Sequence, residues 1–205
     1  METLLPFAGV AALIILTPGP DLMLVTRSVL RGGRRAGVLS ALGIAAGSAA
    51  WALAAAAGLA TLLSASPDLL GIIRWLGAGY LVWIGIRTLL TPAPRLAAVG
   101  DEARAPQRSW SEPFRIGLIS NLLHPGQVIF YTSMMPQFID PAGDATLQAL
   151  VLGAIFATIV VSWFSTYAIL ASTLQPGRWD AIAPVLTRIS GLVLIGFAVR
   201  LAARL

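Results

Sequence analysis

The chain has 205 residues, of which 57% are hydrophobic and 11% are charged, and its mean hydropathy is +0.83. A soluble domain carries roughly a quarter charged residues, so this composition excludes an ordinary soluble fold and predicts a protein embedded in a lipid bilayer. The net charge of +5 comes from arginines scattered along the chain, which argues against a nucleic-acid partner, and the lack of cysteine with a single histidine predicts no metal and no cofactor.

Six apolar stretches are each long enough to cross a bilayer core of roughly 30 Å, which takes about 20 helical residues. We predict helices over Thr3 to Val25, Val38 to Leu63, Leu69 to Leu90, Phe114 to Met135, Leu147 to Thr173 and Ile182 to Leu201. The expected fold is therefore an all-α polytopic membrane protein with one transmembrane domain spanning residues 1–205. Residues 1–90 and 114–205 form its two halves, and the polar, proline-containing stretch 91–113 is predicted to be a cytoplasmic linker.

Arginine is distributed unevenly between the two sides of this arrangement. The first, third and fifth loops, counted with the adjoining span ends, hold eleven arginines, and the opposite side holds three. Because short cytoplasmic loops are enriched in arginine, the count predicts that the odd-numbered loops face the cytoplasm and both termini face outward. A five-span form with one terminus inside is the alternative.

The first and fourth spans contain matching sequence features. Phe7 and the pair Pro18-Gly19 recur 107 residues later as Phe114 and the pair Pro125-Gly126. With three spans in each half, the second half enters the membrane inverted relative to the first. We therefore predict two inverted three-helix repeats, in which the first and fourth helices are both broken at a Pro-Gly pair.

Three prolines in these spans lack the N–H group that a continuous helix requires, namely Pro18, Pro20 and Pro125. Carbonyl groups four residues earlier, including those of Ile14 and Asn121, lose their helical partners. The residues before the prolines avoid the α conformation and are the predicted points of unwinding: Thr17, Gly19 and His124. Half-helix ends of this kind bind small charged solutes in transporters, while a simple kink that shapes the bundle is the alternative.

Asp21 is the one acidic residue well inside a predicted span. A charged side chain near the bilayer centre costs about 2.5 to 3.5 kcal/mol, so Asp21 should face the bundle interior and have a partner or water there. We predict a role in substrate binding or ion coupling. The alternative is that Asp21 caps a half-helix beginning at Leu22.

Two polar residues accompany the break in the fourth span. His124 could bind substrate, transfer protons near neutral pH, or donate a hydrogen bond to a freed carbonyl group. Asn121 belongs to the same site or makes a helix-to-helix hydrogen bond worth about 1 kcal/mol. The candidate site for substrate binding and coupling comprises Thr17, Pro18, Gly19, Pro20, Asp21, Asn121, His124, Pro125 and Gly126.

The second span contains the small-residue pair Gly43 and Gly47, with Ser40 before it on the same face. Small residues four apart let two helices approach closely within a membrane. We predict that this face packs against a neighbouring helix.

Several of these motifs together resemble one known family. They are Thr17-Pro18-Gly19-Pro20-Asp21, Gly32-Gly33 with Gly43 and Gly47, Gly79-Tyr80-Leu81 to Gly85, and Asn121-Leu122 with Pro125 and Ser133 to Phe138. The chain is similar over nearly its whole length to the lysine exporter and homoserine/threonine resistance (LysE/RhtB) translocators of bacterial inner membranes. One departure is that family members usually have Asn-Pro-Lys where this chain has His124-Pro125-Gly126, so the lysine charge is missing.

The resemblance implies a multi-pass inner-membrane protein with six hydrophobic segments that exports amino acids or their derivatives, coupled to the proton or ion gradient. The arginine count adds the expectation that both termini are periplasmic. Its partners would be a small amino acid and the lipid bilayer, and the sequence leaves a homo-oligomer open. A passive channel or facilitator is the second hypothesis, and it would need no titratable group such as Asp21. A membrane enzyme would need paired carboxylates, a Ser/His arrangement or metal ligands, and one Asp with one His on different spans is too small a set.

Overall fold

The computed structural model describes residues 3–17, 19–65, 109, 111–140 and 142–173, with scattered positions between 72 and 90 and between 184 and 199. Most of these residues are helical, and none of them lies in a β-strand. The predicted all-α class is therefore confirmed. Most of the predicted third and sixth spans, most of the linker and the pairing of the two repeats lie outside the described residues.

In the continuous described ranges, five α-helices and two short helical turns follow one another. They are α1 (Leu4–Leu16), α2 (Pro20–Ala65), α3 (Glu112–Leu122), α4 (Pro125–Ile129), a π-helical turn (Phe130–Met134), a 3-10 turn (Met135–Phe138) and α5 (Ala145–Ala171). By length and composition, two stretches are apolar enough to cross a membrane: Pro20–Gly58 of α2, which is interrupted at Gly32 and Gly33, and the whole of α5. The predicted breaks in the first and fourth spans lie between α1 and α2 and between α3 and α4.

The chain turns back on itself inside α2, at two glycines. Gly32 has φ −136° and ψ 17°, and Gly33 has φ 67° and ψ −166°, a positive φ that favours glycine. A Cβ atom on Gly37 would overlap Val29, although eight residues of straight helix would separate the two by about 12 Å. The segments 20–31 and 34–65 therefore pack side by side.

This tight reversal corrects the predicted first loop. The sequence placed a loop from residue 26 to residue 37, between the first two spans. The structure keeps the arginines of this region helical, and only Gly32 and Gly33 leave the helical conformation. Two glycines are enough because one of them takes the positive φ that the turn requires.

The second segment of α2 crosses α3 at very short range. A Cβ atom on Gly43 would overlap the carbonyl oxygen of Phe114, and one on Gly47 would lie 2.7 Å from Oδ1 of Asn121. The two glycines thus lie on the face of α2 that meets α3. Because the contacts advance in the same direction along both helices, the second segment of α2 and α3 run parallel.

The helix α5 packs against the same segment of α2 in the opposite direction. Gly153 near the start of α5 meets Ala52, and Ala168 near its end meets Gly37. The hydroxyl groups of Thr26, in the first segment of α2, and Tyr167 are 2.6 Å apart. These directions agree with the alternating crossings that the six-span prediction requires of its second, fourth and fifth spans.

Aromatic rings fill the core between α1, α5 and the π-helical turn. The rings of Phe130 and Phe156 are 4.4 Å apart, and Phe7 packs edge-on against Phe138 at 5.3 Å. Large aliphatic side chains on the outer faces are exposed, among them Leu53, Ile119, Leu150 and Leu170. An exterior of this kind suits contact with lipid and would be unfavourable in water.

The crossing of α2 and α3 yields a prediction about stability. Gly43→Ala should lower the free energy of unfolding in detergent by about 1–3 kcal/mol, since the added methyl group meets a backbone carbonyl that cannot move aside. Gly58→Ala in the same helix is the matched control, because a Cβ atom there meets nothing within 4 Å. Equal unfolding energies for the two variants would contradict the described crossing.

Candidate functional site

The first helix break is built by Thr17. Its backbone is extended, with φ −64° and ψ 121°, and α1 ends one residue earlier. Its N–H group bonds to the carbonyl oxygens of Leu13 and Ile14 at 3.2 and 3.3 Å, and its hydroxyl group donates to Leu13 at 2.8 Å. The carbonyl of Ile14 thus regains a partner, contrary to the expectation from sequence, because the last turn tightens. Pro18 lies outside the described residues, and Gly19 is non-helical.

Asp21 lies in the first turn of α2. The helix begins at Pro20, so Asp21 does not precede a helix that starts at Leu22, as the capping alternative required. Its side chain is half-buried, and Oδ1 is fully shielded without a hydrogen bond of good geometry. A carboxylate at this end of a helix is favoured by the backbone dipoles.

The second helix break is built by His124. Its backbone is extended, with φ −78° and ψ 115°, between the end of α3 at Leu122 and the start of α4 at Pro125. Nδ1 of the imidazole accepts a hydrogen bond from the Gly126 N–H at 3.0 Å and so caps α4. Sequence reasoning considered substrate binding, proton transfer and donation to a freed carbonyl for His124, and it missed this acceptor role. The carbonyl of Asn121 regains a partner in the His124 N–H at 3.1 Å.

The two breaks bring Asp21, Asn121 and His124 together, although they lie on different predicted spans. The Asp21 carboxyl group is within interaction range of the Asn121 amide and of the His124 imidazole. Asn121 is completely buried, and its Nδ2 makes no hydrogen bond of good geometry. A shielded acceptor on Asp21 and a shielded donor on Asn121 thus interact with each other without a hydrogen bond of good geometry, which leaves bonding capacity that a further partner could use.

Two residues that sequence reasoning missed hold Asn121 in place. Ser48 Oγ donates to Oδ1 of Asn121 at the long distance of 3.5 Å, and Tyr131 donates its hydroxyl hydrogen to the Ser48 carbonyl at 2.8 Å. Tyr131 lies in the π-helical turn, a distortion that is frequent at functional sites. Oδ1 of Asn121 is therefore engaged with the helix-to-helix contact, which leaves Nδ2 as the amide group that interacts with the Asp21 carboxyl group.

The remaining predicted residues flank this cluster. Thr17 and Gly19 lie in the break before α2, which Pro20 begins, and Pro125 and Gly126 begin the helix that His124 caps. On α4, Gln127 was not predicted; its Oε1 is buried and has no hydrogen-bond partner. Within the described ranges, no group of three or more His, Cys, Asp or Glu side chains could hold a metal ion.

Comparison with known proteins places the chain in a family. The profile of the LysE type translocator matches residues 12–204. The chain is 30% identical to membrane protein YrhP of Bacillus subtilis over 98% of both chains. It is 32% identical to a leucine efflux protein of Salmonella typhimurium, over 94% of this chain and 91% of the relative.

A leucine efflux protein of Klebsiella pneumoniae is 31% identical over 195 residues. No solved structure matches the chain. The profile match and the near-complete coverage of these relatives confirm the resemblance noted from the motifs at Thr17 to Asp21 and around Asn121. This chain is a member of the LysE type translocator family.

Proposed function

We propose that this protein is a secondary exporter of neutral amino acids, with leucine as the first substrate to test, coupled to proton entry across the bacterial inner membrane. The observation that carries the proposal is the unsatisfied pair at the two helix breaks. Oδ1 of Asp21 and Nδ2 of Asn121 are both shielded and make no hydrogen bond of good geometry, and the carboxyl group and the amide interact with each other. An α-amino acid offers a partner to each, because its ammonium group donates and its carboxylate accepts.

The charge of the site favours a substrate with a neutral side chain. Asp21 is the carboxyl group that the described cluster provides, and the substrate's α-ammonium group would use it. The side-chain ammonium of a lysine would then enter the membrane interior without a counter-charge, which is strongly unfavourable. The leucine efflux proteins among the relatives support the same choice.

Coupling follows from competition at one carboxyl group. A proton arriving from outside and a substrate ammonium arriving from inside both neutralise Asp21, so the carboxyl group binds one or the other. A carboxylate without a bound proton or substrate is too costly to carry through the membrane interior. The site then moves between its inward-facing and outward-facing states only with one of the two solutes bound, so the two solutes exchange. A passive channel has no use for this group, which is why we prefer an exporter to the facilitator.

Counterflow in vesicles tests this function directly. Purified protein in liposomes loaded with unlabelled leucine should take up labelled leucine well above protein-free liposomes. Internal lysine should support much less uptake, since its second ammonium lacks a partner. Movement of an unrelated solute in vesicles that exchange no amino acid would contradict the assignment.

A substitution on α2 beside Asn121 tests whether the site needs close packing. Gly47→Ala places a methyl group 2.7 Å from Oδ1 of Asn121 and should impair counterflow, whereas Gly58→Ala in the same helix should not. Both proteins must be recovered from the membrane in equal amounts for the comparison to count.

A further inference from the structure

A buried hydrogen bond joins the first segment of α2, residues 20–31, to α5. The hydroxyl oxygens of Thr26 and Tyr167 lie 2.6 Å apart, and both side chains are buried. Thr26 also donates its hydroxyl hydrogen to the carbonyl oxygen of Leu22 at 2.8 Å. Because a threonine hydroxyl has a single hydrogen, Tyr167 is the donor in the contact between the two side chains. The bond therefore runs from Tyr167 on α5 to Thr26 on α2.

Thr26 is the polar member of an otherwise apolar face. Leu22, Val25 and Val29 are buried, and with Thr26 they follow the i, i+3, i+4, i+7 spacing of one helix face. Apolar contacts are non-directional and hold a helix without specifying one exact position. A hydrogen bond between two side chains requires a particular distance and angle. The bond from Tyr167 thus adds a fixed position to the apolar packing of this segment.

The segment departs from helical geometry at both of its ends. Gly32 and Gly33 leave the helical conformation after it, and the break at Thr17 precedes it. At the glycine end, side-chain atoms of Val29 and Ala168 both lie where a Cβ atom on Gly37 would be. The segment is therefore packed closely near the glycines, whereas the end that carries Asp21 has no continuous helix before it.

The position of Thr26 between these two ends gives the bond leverage over Asp21. At 1.5 Å per residue, Thr26 is about 4.5 Å and Asp21 about 12 Å along the axis from Val29. A tilt about the packed end that moves Thr26 by about 1 Å would move Asp21 by about 2.7 Å. A displacement of that size breaks a hydrogen bond or an ion pair at a binding site.

We propose that Tyr167 is a positioning residue for the candidate site: through Thr26 it holds the first segment of α2 against α5 and so fixes the position of the Asp21 carboxyl group. This inference rests on the proposed function and deepens it by naming residues outside the site that set its geometry. Losing one side-chain bond between membrane helices shifts an equilibrium by about threefold on average and by less than about twentyfold.

Conservative substitutions separate the bond from the packing around it. Tyr167→Phe removes the donor and keeps the ring, and Thr26→Val removes the acceptor and keeps the branched side chain. Thr26→Ser keeps the hydroxyl group. Ser28→Ala is the matched control, because Ser28 Oγ donates to the Leu24 carbonyl at 3.0 Å within the same segment. The double variant with Phe and Val should be no worse than the more affected single variant, since both changes remove one bond.

Distances between spin labels report the position of the segment without any substrate. The sequence has no cysteine, so two introduced cysteines carry the only labels. Met23→Cys lies in the segment, and Leu150→Cys lies at an exposed position of α5. In Tyr167→Phe and Thr26→Val we expect a second, displaced distance between these labels, with a population about three- to twentyfold above that in the wild-type protein.

The controls distinguish movement of the segment from a general loosening of the bundle. Thr26→Ser and Ser28→Ala should retain the wild-type distances. A label pair at Leu42→Cys and Leu150→Cys, which leaves out the segment, should give the same distance in every variant. Wild-type distances in both Tyr167→Phe and Thr26→Val, or equal displacement in Thr26→Ser and Thr26→Val, would overturn the proposal.

Leucine counterflow provides a second measurement. A displaced Asp21 binds the substrate's ammonium group less tightly, so Tyr167→Phe should raise the leucine concentration for half-maximal exchange about three- to twentyfold, and Thr26→Ser should stay near the wild-type value. A merely structural role would lower the amount of active protein, and hence the maximal rate, without changing that concentration. An unchanged half-maximal concentration in Tyr167→Phe would refute the positioning role.

The two measurements keep this inference apart from the function on which it rests. Failure of the wild-type protein to exchange any amino acid would refute the proposed function. The label distances would still decide whether the bond from Tyr167 to Thr26 holds the segment in place.

Discussion

Asp21→Asn should reduce leucine export driven by a pH gradient at least about 100-fold, since losing one partner of a buried ion pair costs about 3–5 kcal/mol and each 1.4 kcal/mol is a factor of ten. The asparagine keeps the size and hydrogen bonding of the side chain, so insertion and folding should be unchanged. What it removes is the charge that the substrate's ammonium group needs. The measurement is leucine flux in proteoliposomes with and without an imposed pH difference.

Asp140→Asn is the matched control for this substitution. Asp140 lies in the exposed segment before α5, and its Oδ1 accepts from the Ala142 N–H at 2.9 Å, a bond that an asparagine oxygen can also make. The same chemical change outside the site should leave flux near the wild-type rate. Transport by Asp21→Asn at the wild-type rate and with unchanged pH dependence would remove Asp21 from the mechanism.

The second prediction with a large expected effect concerns which side of the membrane each loop faces. A reporter that is active only in the periplasm should be active within Asp140 to Asp144 or after Leu205, and silent within Gly100 to Pro106. The arginine count motivates this expectation, because eleven of the fourteen arginines fall on the side of the odd-numbered loops. The reverse pattern of activity would overturn the orientation, and activity at only one of the two expected sites would favour five spans.

The antiparallel packing of α5 against the second segment of α2 provides a second pair of reporter positions for this test. Residue 144 caps the start of α5, beside the end of α2 that follows Ala52, while Ala168 lies beside Gly37 near the arginine-flanked turn. Reporters at residue 144 and next to Gly33 should therefore give opposite signals. Like signals at these two positions would contradict the described packing.

Local rules predicted the two helix breaks well. Proline removes a helical N–H and restricts the residue before it, so Thr17 and His124 could be placed at the breaks from their neighbours alone. The close approach at Gly43 and Gly47 also follows from local spacing, since both glycines fall on one helix face. These features depend on a few consecutive residues, which is why one sequence was enough.

Features that depend on distant residues were not predictable in the same way. The bond from Ser48 to Asn121 joins residues 73 apart, and that from Tyr131 to Ser48 joins residues 83 apart. Neither pair has a sequence signal beyond polarity in an apolar run. The reversal at Gly32 and Gly33 was hidden for a different reason: the flanking arginines looked like a loop, although arginine is a good helix former.

Export by living cells tests the central claim most directly. Cells that express the protein and are fed a leucine-containing dipeptide should release several times more leucine into the medium than cells with an empty vector. Cells that express Asp21→Asn at the same membrane level should match the empty vector. Equal extracellular leucine in the wild-type and empty-vector cultures, with the wild-type protein present in the membrane, would contradict the account.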